Sequence, residues 1–347
     1  MMKIAVTGAC GYIGSHTLVD LIQHGFEVIS IDNNSRSTPE ILEGVTAITG
    51  KIVPHYPIDM CQLDDLEQVF VQNPNIVGVI HFAAYKWVGE SVDKPLLYYH
   101  NNLQALLNLL KCIQKFDIPY HVFSSSCSVY GNPDALPVTE ETPLALAESP
   151  YAMTKQIGER IISDFSRLGV NANVLLRYFN PVGAHPSAKI GEIQPIPQNL
   201  VPFITQTAIG LRPALSVFGN DYDTRDGTCL RDYIHVSDIA HAHTLALQHL
   251  VKHQIQRNYC EVFNLGSGEG ATVLEVIAAF ERATGEKLAY QIVDRRAGDV
   301  AKIYANRHKA THVLGWQPQY KLDDMMRTAW QWQLRLQEHP IDFPVIG

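Results

Sequence analysis

A glycine-rich turn near the start of the chain constrains its fold more than any other feature. The apolar run Lys3–Thr7 leads directly into the sequence GACGYIG at residues 8–14. Leu18, Leu21 and Ile22 then follow at helical spacing. Glycines in such a turn let the chain reverse tightly, let a pyrophosphate approach the backbone and let the helix pack closely on the strand. Since the helix N-terminus would face the phosphates, the pattern predicts a strand–turn–helix unit that binds a dinucleotide.

An acidic residue ends the next predicted strand, residues 26–31. This residue, Asp32, lies eighteen positions beyond Gly14. A carboxylate there accepts hydrogen bonds from both ribose hydroxyls and repels a 2′-phosphate, so NAD is favoured over NADP. The alternative is a glycine-rich turn followed by a surface aspartate. The spacing G-x-x-G-x-x-G, in place of G-x-G-x-x-G, indicates a particular branch of the dinucleotide-binding folds.

The first half of the chain alternates strand-like with helix-like segments. This alternation predicts an α/β fold with a doubly wound parallel sheet, a Rossmann domain, over residues 1–180. Further strands are expected at residues 79–82, 121–125 and 173–178, with a weaker one near 51–55, and helices along the apolar stripes 103–113 and 153–165.

After Asn180 the texture changes, because six prolines fall between residues 181 and 213, which regular α/β alternation tolerates poorly. We therefore expect residues 181–347 to form a smaller, mixed α/β substrate domain, with some segments after residue 230 returning to the first domain. A ligand cleft would lie between the two. Helices are expected at 200–210, 237–251, Val273–Thr284 and 322–337, and strands at 216–219 and 261–265.

Composition excludes several classes of partner. Lys and Arg total 27 against 35 Asp and Glu, a formal net charge of −8, and there is no basic block, so we expect neither nucleic acid nor an anionic membrane as a partner. No apolar run reaches the ~18 residues of a membrane-spanning helix. Six scattered cysteines without a CxxC pair, and a start that runs straight into a strand, predict a reduced cytoplasmic chain without a signal peptide.

Three residues form a candidate catalytic group. Tyr151 and Lys155 are four residues apart and would share one face of a helix. A phenol is a weak base at neutral pH, but a lysine cation and an oxidised nicotinamide beside it would favour its ionisation. Ser126 follows the strand 121–125 at the edge where ligands bind parallel sheets and can orient a substrate alcohol. Y-x-x-x-K is common by chance, so the prediction depends on all three features together.

These elements together resemble the extended short-chain dehydrogenase/reductase superfamily, in which Ser or Thr, Tyr and Lys serve hydride transfer on nucleotide sugars. Longer motifs are similar to the UDP-glucose 4-epimerase family along essentially the whole chain. They are HFAAYK at 81–86, Ser91, Asn101 with Asn102, LRYFNPVGAH at 176–185, FGNDY at 218–222 and RDYIHV at 231–236.

The resemblance implies that UDP-glucose and UDP-galactose interconvert by oxidation at C4, rotation of the 4-keto sugar and reduction on its opposite face. Whether this serves galactose metabolism or the supply of surface-polysaccharide precursors stays open. The NAD contacts that the resemblance implies are Tyr12, Ile13, Asp32, Asn33, Asp59, Phe82, Ala83, Lys86, Asn101, Ser126, Tyr151, Lys155 and Phe179. The turn glycines Gly8, Gly11 and Gly14, together with Ser124, complete the predicted cofactor site. The implied UDP-hexose contacts are Asn180, Asn199, Phe218, Arg231, Arg296 and Asp299.

Simpler interpretations exist for some of these residues. Two arginines from distant segments suit a pyrophosphate. However, Arg231 could instead pair with Asp232, Arg296 could be a solvated charge, and Phe218 could belong to the core. The short loop at 33–37 leaves the adenosine contacts beyond Asn33 open.

Other activities remain as alternatives. Ile303 stands where relatives acting on N-acetylated sugars tend to have a small residue and stricter ones an aromatic, so a UDP-N-acetylglucosamine 4-epimerase stays open. A 4,6-dehydratase usually has Asp-Glu after its active-site Ser or Thr, whereas Cys127-Ser128 follows Ser126. A UDP-glucuronate decarboxylase would need a cation beside the serine run. A non-catalytic dinucleotide-binding regulator usually lacks the Tyr or the Lys.

Metal binding and assembly give two further expectations. The pairs His241 with His243 and His249 with His253 have no Glu or Cys in step with them, so no metal is expected. The apolar stripes at 103–113 and 153–165 would pair across a two-fold axis, which predicts a homodimer. An internal core surface would give the same stripes.

Overall fold

Short strands alternate with amphipathic helices in the computed structural model, which describes residues 1–193, 196–296 and 300–343. The strands are β1 Lys3–Thr7, β2 Glu27–Ile31, β3 His55–Tyr56, β4 Ile76–His81, β5 Tyr120–Ser124, β6 Ala172–Tyr178, β7 Asn180–Val182, β8 Leu215–Phe218, β9 Leu230–Arg231, β10 Tyr233–His235, β11 Cys260–Leu265, β12 Ala271–Thr272, β13 Tyr290–Val293 and β14 Lys302–Ile303. The helices are α1 Tyr12–Gln23, α2 Ile41–Thr49, α3 Leu63–Gln72, α4 Val88–Asp93, α5 Pro95–Lys115, α6 Pro150–Ser166, α7 Leu200–Ala208, α8 Val236–Lys252, α9 Val273–Thr284 and α10 Leu322–Glu338.

Seven strands form one parallel sheet in the order β11-β6-β5-β4-β1-β2-β3. Every neighbouring pair in it is parallel, so all the carboxyl ends lie along one edge. The predicted α/β fold with a doubly wound sheet is confirmed. The weak strand expected near residues 51–55 shrinks to β3 at the sheet's margin, while β11 enters from the second half of the chain and pairs with β6.

Apolar side chains project from both faces of the sheet into two separate cores. Ile4 and Val6 of β1 point into one core with helices α1 and α8, whereas Ala5 between them points into a second core with α3 and α5. Strands that are covered on both faces have continuous apolar sequences. This burial explains why the strands could be predicted from the sequence.

The second half builds a separate apolar core from α7, α9, α10 and β8. Helix α9 has the bounds that the sequence predicts, for a local reason. The Thr272 hydroxyl accepts a hydrogen bond from the Glu275 amide while the Glu275 carboxylate accepts one from the Thr272 amide, and Gly285 ends the helix at φ +79°. Among the described helices, none has both the length and the apolar character needed to cross a bilayer.

The glycine turn brings α1 unusually close to the sheet. Gly8 has φ +65°, and a Cβ there would lie 2.7 Å from the Ala83 amide nitrogen. A Cβ on Gly14 would lie 2.3 Å from the Gly8 carbonyl oxygen. Both separations are below van der Waals contact, so the turn requires glycine at these two positions.

We predict that Gly14→Ala lowers the free energy of unfolding by about 1–3 kcal/mol, because the new methyl group overlaps backbone atoms that cannot rotate away. Gly89→Ala in α4 is the matched control, since a Cβ there meets nothing within 4 Å. Alanine in a helix should leave stability unchanged or raise it by up to about 1 kcal/mol. Urea unfolding of the two variants measures both effects, and equal stability would contradict the close approach.

Candidate active site

A cleft of about 360 Å³ runs along the carboxyl edge of the sheet. It extends from the glycine turn and Asp32 at one end to Ser126 and Tyr151 at the other. Every residue predicted to contact the cofactor lines it except Ser124, which is buried behind it. The fold therefore brings together a set of residues that the sequence spreads from position 8 to position 179.

The predicted sugar-nucleotide residues divide into three groups. Asn180 and Asn199 line the cleft with the catalytic candidates. Phe218, Arg231 and Arg296 are described but lie outside its lining. Asp299 falls outside the described residues.

In the second group, the structure differs from two of the three simpler interpretations, whereas Arg296 is exposed, as a solvated charge would be. Phe218 is 41% exposed and is not a core residue, and the Arg296 guanidinium carbon lies 5.5 Å from its ring centroid. The Asp232 carboxylate accepts hydrogen bonds from the Ser267 and Ala305 amides at 2.7 and 3.1 Å. The Arg231 guanidinium group donates a hydrogen bond to the Leu230 carbonyl oxygen at 2.9 Å, and its charge offsets part of the rise that burial causes in the pKa of the cleft-lining Cys127 thiol.

Capping fixes where the catalytic helix begins. The Ser149 hydroxyl accepts a hydrogen bond from the Ala152 amide at 3.2 Å, and Pro150 occupies the first helical position, where its missing amide hydrogen costs nothing. Tyr151 and Lys155 thus lie one turn apart at the start of α6, facing the end of β5.

The Lys155 ammonium group is held by the strand that precedes Ser126. Its Nζ donates a hydrogen bond to the Ser124 carbonyl oxygen at 2.7 Å, and the residue is 5% exposed. Burial lowers the pKa of Lys155 to about 8, although the charge of Glu159 acts in the opposite direction. The lysine is therefore a desolvated cation that a small change of environment can discharge.

Burial dominates the electrostatics of Tyr151 in the chain alone. Burial raises the pKa of the Tyr151 phenol well above its usual value, neighbouring Tyr178 raises it further, and a hydrogen bond with Ser126 lowers it. Lys155 Nζ lies 6.0 Å from the Tyr151 ring centroid and is not among these causes. The expectation named a lysine cation together with an oxidised nicotinamide, so the joint effect of the two on the pKa of Tyr151 stays a prediction.

A buried ion pair lies beneath the catalytic residues. The guanidinium group of Arg177 on β6 donates two hydrogen bonds to the Glu159 carboxylate on α6, at 2.9 and 2.6 Å. The Ser125 hydroxyl donates to the same carboxylate. Both charged side chains are less than a tenth exposed. Since Glu159 is one turn from Lys155, the pair fixes α6 against the ends of β5 and β6.

The opposite end of the cleft suits the adenosine half of a dinucleotide. The Asp32 carboxylate accepts hydrogen bonds from the Cys10 and Asn34 amides, both at 3.0 Å, and from the Ser37 hydroxyl at 2.8 Å. These bonds hold it in place and leave lone-pair capacity for a ribose. Gly11 begins α1 without a capping side chain, and the first turn carries no acidic residue, so the helix terminus suits a phosphate group.

Several contacts at the border of the cleft could not be predicted from the sequence. Arg36 donates to the Glu90 carboxylate at 3.0 Å, and its guanidinium carbon lies 4.1 Å from the Tyr85 ring centroid. Lys86 pairs with Glu192 at 2.8 Å. These partners are 54, 49 and 106 positions apart, and neither helical nor strand periodicity relates residues at such separations. Ser35, Ser37 and Thr38 line the cleft too, so the short loop does reach it beyond Asn33.

Proteins of known sequence resemble the chain over nearly all of its length. The family profile described as GDP-mannose 4,6 dehydratase matches residues 5–329. The UDP-glucose 4-epimerase of Dictyostelium discoideum is 47% identical over 333 residues, which cover 95% of each chain. That of Bacillus subtilis is 46% identical, covering 96% of this chain and 97% of its own.

Solved structures give the same result. The UDP-glucose 4-epimerase of Stenotrophomonas maltophila, solved with NAD and formylated UDP-arabinopyranose, superimposes with a TM-score of 0.94 at 42% identity, covering 97% of this chain and 99% of its own. The enzyme of Bifidobacterium longum, solved with NAD+ and UDP, gives a TM-score of 0.90 at 45% identity, with 96% and 98% coverage.

We predict that Lys155→Met raises the free energy of unfolding at pH 7 by about 1–3 kcal/mol while leaving the fold intact. The lowering of the lysine pKa from 10.5 to about 8 corresponds to a cost of about 3 kcal/mol for the buried ammonium group. The lost hydrogen bond to Ser124 offsets about 1 kcal/mol of the gain.

The same shift fixes the sign of the pH dependence. Between pH 8 and 10.5 the unfolded chain keeps the lysine proton and the folded chain releases it, so native stability rises with pH in that window. Lys155→Met should lack this rise. Lys115→Met, which replaces a lysine with a 55% exposed side chain, should behave as the native chain does. Urea titrations from pH 7 to 10.5 decide this, and identical curves for all three proteins would refute it.

Proposed function

The chain belongs to the UDP-glucose 4-epimerase family and interconverts UDP-galactose and UDP-glucose with NAD, and we propose that Tyr151, Ser126 and Lys155 perform its proton chemistry. The family and the cofactor expected from the sequence motifs are thereby confirmed.

One observation carries the assignment of roles. Tyr151, Ser126 and Lys155 line the same cleft as Asp32 and the glycine turn, so a dinucleotide bound along the sheet edge would extend toward the phenol. NAD bound there would supply the acceptor, and then the donor, of the hydride at C4 of the sugar. The residues that would hold it are the turn glycines, Asp32, the start of α1 and Lys155.

Tyr151 acts as the base toward the sugar 4-hydroxyl. The proton of the sugar 4-hydroxyl passes to the phenolate oxygen through Ser126, which is hydrogen-bonded to Tyr151 and orients the sugar oxygen. The same proton returns to that oxygen when the 4-keto sugar is reduced. Burial raises the pKa of Tyr151 in the chain alone, and positive charge beside the phenol would favour its ionisation.

The sugar nucleotide must be held at one end and left free at the other. Inversion requires the 4-keto sugar to present its second face, and tight binding of the hexose ring would trap one epimer. Arg231 and Arg296 lie outside the lining around Tyr151, where they suit the diphosphate. Asn180 and Asn199 line the cleft, and we assign them to the sugar nucleotide.

The residue that follows Ser126 disfavours the dehydratase alternative. Elimination of the 6-hydroxyl group needs an acid next to the catalytic hydroxyl, and Cys127 occupies that place. Burial raises the pKa of the Cys127 thiol to about 12, so the thiol does not supply an acid at neutral pH.

The hexose preference is a separate matter. Ile303 is 6% exposed and packs with Phe179, Tyr130 and Val129, behind a residue of the cleft wall. Comparing turnover of UDP-galactose with that of its N-acetylated counterpart determines whether this packing leaves room for an acetamido group.

We also place the chain in the cytoplasm, since its six cysteines are free and unpaired thiols persist in reducing compartments. The assignment of residues 1–180 to the nucleotide domain and 181–347 to the sugar-nucleotide domain is likewise our proposal. It is supported by the separate apolar core of the second half, with β11 returning to the large sheet.

We propose that the chain is a homodimer, on a narrower surface than the sequence suggested. Leu106, Leu110 and Ile113 of the predicted stripe are buried in the chain's own core, whereas Leu96 and Leu107 of α5 are 81% and 40% exposed. Sedimentation equilibrium should give twice 38.7 kDa for the native chain. Leu107→Glu should shift it toward monomer, and Leu168→Glu, at an exposed loop leucine, should not. A monomeric native chain would rule the dimer out.

We predict that Tyr151→Phe lowers kcat for UDP-galactose by about 10²–10⁴-fold, the usual contribution of a positioned acid or base. Tyr178→Phe is the matched control, because Tyr178 lines the same cleft and its hydroxyl contacts Ser124 at 2.6 Å without reaching the substrate in this scheme. It should retain activity within tenfold. The assay follows UDP-glucose without added NAD, and full activity in Tyr151→Phe would refute the role.

A further inference from the structure

Two histidines and an aspartate meet on the side of the molecule where α1 packs against α8. Asp20 lies in the last turn of α1, His24 caps the same helix, and His241 projects from the second turn of α8. Their ligand atoms all lie within 4.8 Å of one another. We propose that these three side chains form a binding site for a divalent cation of borderline softness, such as Zn²⁺.

The spacing of the donors fits such an ion. In a tetrahedral site with bonds of about 2.0–2.1 Å, neighbouring ligand atoms lie about 3.3 Å apart. Nδ1 of His24 and Nδ1 of His241 are each 3.3 Å from the Asp20 carboxylate. Two imidazole nitrogens and one carboxylate oxygen are the set that zinc sites with an open fourth position commonly use.

The site is partly shielded and already assembled. The Asp20 side chain is 17% exposed and each imidazole 35%, so water can fill a fourth position. Its ligands are on two helices held by a common apolar core, and little ordering would be needed on binding. The net charge of one carboxylate and two neutral imidazoles is −1, which leaves the ion one positive charge in excess.

A hydrogen bond now occupies one of the positions that the ion would take. His24 Nδ1 lies 2.7 Å from the Asp20 carbonyl oxygen as well, so the imidazole shares a proton with the backbone. Binding at Nδ1 would replace that hydrogen bond and leave the proton of the neutral imidazole on Nε2, and the Asp20 carboxylate would turn from the imidazoles to the ion. The competing interpretation is a proton-bridged histidine–aspartate cluster without a metal.

Titration calorimetry of the full-length, tag-free holoenzyme with ZnCl₂ separates the two. We expect one site of micromolar or tighter affinity and a rise in Tm on adding zinc. Asp20→Asn and His241→Ala should each weaken binding more than about tenfold and abolish the rise. His312→Ala is the control, because it removes one ring of the exposed stacked pair His308 and His312, and it should bind as the native chain does.

A second readout identifies the ligands directly. Co²⁺ in place of Zn²⁺ should give the intense visible absorption of a tetrahedral ion, lost in His241→Ala. None of the three residues lies in the cleft, so epimerase activity should persist in all variants and report that they are folded. Zinc binding of equal affinity in native, Asp20→Asn and His241→Ala chains, or no binding in the native chain, would overturn the proposal.

Discussion

The tie between the Lys155 ammonium group and the Ser124 carbonyl is the interaction on which the catalytic geometry depends. It joins the first turn of α6 to the end of β5 at 2.7 Å, and Ser126 and Tyr151 lie on either side of it. A buried cation is expensive, but Glu159 opposes the desolvation of Lys155 and is itself neutralised by Arg177. The charges of Lys155, Glu159 and Arg177 therefore alternate in sign and hold α6 in a fixed position against β5 and β6.

The proposed scheme relates the base to the cofactor through electrostatics. Burial and the neighbouring Tyr178 raise the pKa of Tyr151, and burial lowers the pKa of Lys155 to about 8. Positive charge from an oxidised nicotinamide in the cleft would stabilise the phenolate and disfavour the ammonium form of Lys155, the kind of charge interaction on which preorganised sites rely.

The sheet and the end of the cleft near the glycine turn could be predicted because the residues that form them are close together in the sequence. β1, the glycine turn and Asp32 all fall within 32 residues, and each part has a steric or electrostatic requirement that a single segment reveals. Helix α9 was predicted to the residue because Thr272 and Gly285 fix its ends. Lys155 and Tyr151 were found for the same reason, since one helical turn separates them.

The parts that escaped prediction are those made by contacts between distant segments. Lys86 meets Glu192, and Arg36 meets Glu90, with no periodic relation between them. The direction of the Tyr151 pKa could not be foreseen, because it depends on how deeply the fold buries the ring and on Tyr178 arriving from β6. The expected dimer stripe failed in part for a similar reason, since periodicity marks a buried face without saying what covers it.

Helix α1 shows how one element can serve two opposite charges. Its N-terminus, begun by Gly11 without a capping side chain, carries the positive end of the helix dipole and suits the dinucleotide phosphates. Its C-terminus carries the negative end, and there Asp20 and His24 meet His241 of α8. A cation bound at that end would be favoured by the same dipole that favours the anion at the other. It would also pin α1 to α8, so that the turn beneath the phosphates keeps its close approach to the sheet.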